Sequence, residues 1–263
     1  MKALAWMRKR KSIIKMDFNK LNFSFESYEM LLAHLNGLGY QSLLIGEAKR
    51  NEKILYLRHD VDVDFLTVMD LAQIESDLGM QSTWYFLPNC PIYNLLSDTL
   101  LDIAQELNVL GHQIGLHIDA SLYENVQAVE NDLNRLFDFY SSYIPINKTF
   151  SFHRPASWAL NDISIEGWVN AYQREYYSDV MYVSDSNRRE FWKEDRISRA
   201  ISDEMSLTLL THPLWWKENS YSKDKISEFV YAKLGSEVAI SYLADTCNLY
   251  SNAKKKGAEE SYG

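Results

Sequence analysis

Residues 54–62 read Ile-Leu-Tyr-Leu-Arg-His-Asp-Val-Asp, an apolar run rich in β-formers that ends abruptly in charge. Its first six positions have the length and content of a buried strand. Similar runs follow at 82–87, 113–117, 149–153, 180–184 and 207–211. Helical patterns at 65–78, 98–110 and 124–140 lie between several of them, each long enough to cross over and bring the next strand in parallel. A repeated β-α order in one chain of this length predicts a parallel α/β barrel forming a single domain. A further helix is predicted over 25–38, with Tyr28, Leu31, Leu32 and Leu35 on one face and Gly37 and Gly39 ending it.

Parallel α/β barrels build their sites at the carboxyl ends of the strands. Here the first run ends in Arg58-His59-Asp60-Val61-Asp62, the third in His117, the fourth in His153-Arg154-Pro155, the fifth in Ser184-Asp185, and the last in Thr211-His212-Pro213. Four of the six histidines fall at these ends. Any one of these residues reads equally well as a turn former or helix cap. Together, on one face of one barrel, they make the oxygen and nitrogen donor set of a catalytic zinc or similar ion. Alternation along an extended segment puts Asp60 and Asp62 on one side and His59 on the other. Asp64 reads as the cap of the helix beginning near Phe65, a role also open to Asp62.

With 263 residues and 46% hydrophobic content the chain can bury a sizeable core. Lys and Arg total 27 against 36 Asp and Glu, and the net charge of -9 disfavours binding to nucleic acid through a broad basic surface. Two cysteines, Cys90 and Cys247, make neither a disulfide framework nor a clustered zinc site, which fits a reducing compartment. The basic start resembles a signal-peptide n-region, but no apolar h-region follows. No run approaches the roughly 20 apolar residues of a membrane helix. The expectation is a soluble, cytoplasmic protein whose domain spans 1–250, with 251–263 as a disordered tail.

Gly111-His112-Gln113-Ile114-Gly115-Leu116-His117 resembles the Gly-His-Glu-Ile-Gly-Asn-His segment of the polysaccharide deacetylase family, also called carbohydrate esterase family four. Ser82-Thr83-Trp84-Tyr85-Phe86 precedes it in place of the family's Ala-Thr-Phe-Phe, and the resemblance runs over about 54–216. It implies a distorted parallel (β/α) barrel in which Asp60 is the catalytic base and Asp62 and His117 bind a divalent metal, zinc by preference. Ser121 stands where the family usually has a second histidine. The third ligand then falls to His153, with Asp119, or Ser121 through a water, as alternatives. Arg154-Pro155 resembles the family's Arg-Pro motif, which implies that Arg154, positioned by Asp185, holds Asp60. Ala156 and Ser157 replace the Pro-Tyr that follows in the family, so the oxyanion donor is only approximately placed. Leu210-Thr211-His212-Pro213 resembles the closing motif, which makes His212 the general acid. Trp84, Trp158, Trp192 and Trp215, with Trp216 beside it, are candidates to stack on a sugar or to sit in the core.

The activity so implied is hydrolysis of an N-acetyl group on an amino sugar or glycan precursor, as in surface-polysaccharide and lipopolysaccharide assembly. Two other readings stand beside it. In one, the barrel is a glycan-binding pseudoenzyme whose metal site has decayed. In the other, Asp60-Val61-Asp62 is the Asp-x-Asp of a glycosyltransferase holding a nucleotide-sugar diphosphate through manganese, which leaves the histidines without a role.

Overall fold

The computed structural model describes residues 16–47, 53–155, 157–160 and 162–234, together with Tyr242, Ala244 and Cys247. The expected tail at 251–263 lies outside the described residues. The strands are β1 (Gln41–Leu43), β2 (Ile54–Val61), β3 (Thr83–Phe86), β4 (Gln113–Asp119), β5 (Ile146–His153), β6 (Val169–Asn170), β7 (Met181–Ser184) and β8 (Leu207–Thr211). The helices are α1 (Phe25–Gly37), α2 (Val68–Asp77), α3 (Asp98–Val109), α4 (Val126–Tyr140), α5 (Arg174–Tyr177), α6 (Asp195–Ser202) and α7 (Lys223–Leu234).

All strand pairs are parallel, in the order β6-β5-β4-β3-β2-β8-β7, with β1 beside the first half of β2. The fold is a distorted, open parallel (β/α) barrel. Its edge strands β6 and β7 are successive in the chain, so the segment carrying α5 crosses the open side. Each of the six expected strands is present. β1 and β6, of 3 and 2 residues, are additions too short to show alternation in sequence.

Alternation along β2 divides the barrel into two environments. Leu55, Leu57 and Val61 face outward into the main core, which also holds Trp84 and Phe86 of β3 and the buried faces of the helices. Tyr56, Arg58 and Asp60 face inward. Tyr56 packs edge-on against Tyr176 of α5, with ring centroids 4.9 Å apart, and so links the middle of the sheet to the segment closing the gap. Tyr85 crosses toward β4 inside the barrel. A Cβ on Gly115 would lie 2.5 Å from Tyr85 Cε1 and 2.7 Å from Thr149 Cγ2, so only glycine fits there.

Behind β2, on the outer face, Glu75 of α2 is fully buried and gathers three donors. Tyr28 of α1 and His59 reach Oε1, the latter at 2.6 Å, and Ser82 Oγ reaches Oε2 at 2.5 Å. His59 also meets Thr211 Oγ1 at 2.7 Å, while His112 accepts from the Ser82 amide at 3.1 Å. Burial alone would raise the Glu75 carboxyl, but His59, His112 and the Ser82 hydroxyl together hold it below the ordinary range. Burial pushes the His112 imidazole down, against Glu75. Both groups therefore bind protons less readily in the folded chain than in the unfolded one. Their stabilising contributions are present above the unfolded values, about 4.3 for Glu and about 6.5 for His, and fade as pH falls through the folded ones. Glu75→Ala, which strands these donors, is expected to cost about 3–5 kcal/mol in urea unfolding at neutral pH. The difference from the parent should shrink as the solution is acidified.

Candidate active site

The inward positions at the carboxyl end of β2 set the first half of the site. Arg58, 0% exposed, donates from Nε to Asp60 Oδ1 at 2.9 Å and from Nη2 to Asp60 Oδ2 at 2.8 Å. The guanidinium carbon also lies 4.5 Å from the centre of the Tyr172 ring, and Nη2 donates to Ser151 Oγ. Burial would raise the Asp60 carboxyl, but Arg58, joined by His117 and His212, brings it below the ordinary range. The arginine expected here was Arg154, and the structure corrects that expectation. Arg154 instead pairs with Asp119 at the rim, its side chain 38% exposed. The cause is its backbone: β5 ends at His153 and the chain turns with φ 49° at Arg154, aiming the guanidinium along the rim toward β4.

Just beyond β2, Asp62 turns toward the ends of β4 and β5. Its Oδ1 lies 3.1 Å from His117 Nε2 and 3.2 Å from His153 Nδ1. One donor atom from each of Asp62, His117 and His153 falls within 4.8 Å of the other two. Neither close approach has hydrogen-bond geometry: Asp62 Oδ1 is a buried acceptor without a donor, and His153 Nε2 is likewise unpartnered. His117 Nδ1 is turned to Ser151 Oγ at 3.0 Å, which leaves Nε2 facing the cluster. Three converging donors of mixed oxygen and nitrogen type fit a divalent cation. Of the alternatives for a third ligand, Asp119 accepts from Arg154 and from the Ser121 amide and hydroxyl, so these two satisfy each other.

Across the cavity, β8 and β7 supply a second pair. His212 Nδ1 is 2.6 Å from Asp185 Oδ1, while Asp185 Oδ2 accepts from the His212 amide at 3.0 Å and from Trp216 Nε1 at 2.9 Å. Asp185 was expected to position Arg154. It orients His212 instead, and both of its oxygens are spent doing so. Burial would lower the His212 imidazole, but Asp185, joined by Asp62 and Asp60, pushes the value up to about 9. His212 Nε2 faces the cavity, 3.7 Å from Asp62 Oδ2.

Asp60, Asp62, His117, His153 and His212 line a cavity of 340 Å³, with Tyr172, Leu214 and Trp215 on its apolar wall. Trp215 is the one expected sugar-stacking residue on that wall. Trp84 stacks on His59 at 3.7 Å on the outer face of the sheet, because position 84 alternates with inward-facing Thr83 and Tyr85. Trp192 packs on Phe23 and Trp216 at 4.8 and 5.6 Å, inside the core. Trp158 lies edge-on to Phe152 at 5.6 Å and is not among the residues lining the cavity. Sequence reasoning missed Arg58 and Ser151. The signal for Arg58 was present, since 58, 60 and 62 share one parity.

What fold and site define together is an open parallel barrel with an Asp/His cluster at the carboxyl ends of its strands. No family model matches the chain, and no curated protein matches it. Among solved structures it is similar to the Bc1960 peptidoglycan N-acetylglucosamine deacetylase, seen in complex with 4-naphthalen-1-yl-N-oxidanyl-benzamide, at 11% identity and a TM-score of 0.39 over 74% of this chain and 86% of that one.

Proposed function

We propose that the protein is a metal-dependent hydrolase that removes an N-acetyl group from an amino sugar or glycan precursor. The observation that carries this reading is the Asp62–His117–His153 cluster set between a clamped carboxylate, Asp60, and an imidazole held by a carboxylate, His212–Asp185. A divalent ion in that cluster, zinc by its donor types, would polarise the amide carbonyl and acidify a water. Asp60, kept ionised by Arg58, takes the proton of the attacking water. As the carbon–nitrogen bond breaks, His212 gives its Nε2 proton to the departing amine, so acetate and a free amino sugar result. Trp215 and Tyr172 offer apolar faces to a ring in the cavity.

The transferase reading needs both acidic residues of Asp-x-Asp to share one cation, and Asp60 is engaged by Arg58 on both oxygens. Among the described residues no helix is long and apolar enough to cross a membrane. The substrate we propose is a soluble or carrier-linked precursor of surface polysaccharide, including lipopolysaccharide, handled in the cytoplasm. The test is acetate release from N-acetylated nucleotide sugars and glycan precursors with zinc, cobalt or manganese supplied. Release that depends on metal supports the reading. Glycan binding with no acetate released under any metal would leave a pseudoenzyme.

A further inference from the structure

The two acidic residues of the Asp60-Val61-Asp62 segment are chemically alike, share one side of the chain and lie at one cluster. Asp60 Oδ2 is only 3.6 Å from His117 Nε2, so Asp60 is itself within reach of the ion that Asp62, His117 and His153 would hold. A carboxylate that joins a cation as a ligand is a poor proton acceptor. Something must therefore assign the two aspartates different tasks.

We infer that Arg58 is the positioning residue that makes Asp60 a base and leaves Asp62 as the ligand. This rests on the metal-dependent reading above and deepens it. A guanidinium fork meets both oxygens of one carboxylate in their common plane, and Arg58 does so at 2.9 and 2.8 Å. Ser151 Oγ, which receives Arg58 Nη2, also lies 3.4 Å from Asp60 Oδ1 and 3.0 Å from His117 Nδ1. One hydroxyl thus ties the clamp to a ligand imidazole. Tyr172 and Tyr85 pack on the guanidinium at 4.5 and 5.5 Å and fix its plane. Rotation of Asp60 toward the ion would break both fork bonds. Asp62, 20% exposed in its side chain, has no such clamp and only the two imidazoles beside Oδ1.

The division of labour can be read with cobalt in the full chain, because the visible absorption of cobalt(II) weakens as ligands are added beyond four. Asp60→Asn is expected to bind cobalt with the parent's spectrum and affinity, since Asp60 is not a ligand. Arg58→Lys keeps the charge but loses the fork. It is expected to lower kcat by about 10–100-fold with KM little changed, to hold cobalt no more weakly, and to show a weaker spectrum as Asp60 swings in. Arg58→Lys/Asp60→Asn should restore the parent spectrum. An altered spectrum in Asp60→Asn, or a parent-like one in a folded Arg58→Lys, overturns the inference. If Arg58→Lys does not fold, the Asp60→Asn spectrum decides whether Asp60 is kept off the ion. A parent protein that binds no cobalt sinks the metal-dependent reading itself, a result distinct from either of these.

Discussion

Asp62→Ala is expected to remove stoichiometric divalent metal from the purified protein and acetate release with it, while the chain stays folded. Asp62 is the one carboxylate in the cluster, and its Oδ1 is the atom both imidazoles approach. Burial would raise its carboxyl, but His153, His117 and His212 together hold it well below the ordinary range. Without it, two imidazoles remain with no carboxylate among the ligands to offset the cost of dehydrating a cation. The loss should exceed the roughly 10–100-fold that removal of an outer partner costs. Folding should survive because Asp62 lies past the end of β2, outside the outer core of Leu55, Leu57 and Val61. Thermal unfolding offers a second check. A ligand present at 100 times its dissociation constant stabilises by about 2.7 kcal/mol, so the parent should melt higher with added zinc and Asp62→Ala should not respond. An Asp62→Ala protein that still bound one metal per chain would refute the assignment. His117→Ala should behave in the same way.

Period-two alternation made much of this site legible. It put Asp60 with Asp62 and sent His59 to the other face, where His59 meets Glu75 and Trp84. The same rule reaches Arg58, but the likeness of Arg154-Pro155 to a family motif drew the arginine's task to the wrong residue. Local geometry was the better guide there, because it does not depend on how far two chains have diverged. Other features have no signature in sequence. That Trp84 belongs to the outer face follows from its register with His59, and register is a property of two strands. Glu75 looks like any helical glutamate until Tyr28, His59 and Ser82 arrive from three other segments. His153 joins the cluster because β5 ends there and the backbone turns at Arg154, which a run of strand-like residues does not announce.

His212→Gln is expected to lower kcat by about 10²–10⁴-fold while cobalt or zinc binding remains, because in the proposed mechanism His212 moves a proton and does not hold the ion. Its tautomer follows from its partners. Asp185, fully buried, accepts from Nδ1 at 2.6 Å and is itself fixed by the His212 amide and Trp216 Nε1, so the second proton of the imidazolium sits on Nε2, toward the cavity. Burial opposes the charged form, but Asp185, joined by Asp62 and Asp60, lifts the value to about 9, so in the metal-free protein the imidazole is a proton donor at neutral pH. The donor form is lost as pH rises through that value. In Asp185→Asn the carboxylate that raises the imidazole most is gone while Asp62, Asp60 and the desolvation remain, which lowers the titration and leaves less of the acid form at neutral pH. Nitrogen-resolved NMR of the metal-free parent should find His212 titrating near 9, and a bound divalent cation, close to Asp62, should move it downward. Asp185→Asn should then lose kcat in the same direction as His212→Gln, most severely toward high pH. An unchanged kcat in His212→Gln would leave the departing amine to take its proton from solvent, and the paired carboxylate and imidazole on this side of the cavity would be scaffolding for Trp216.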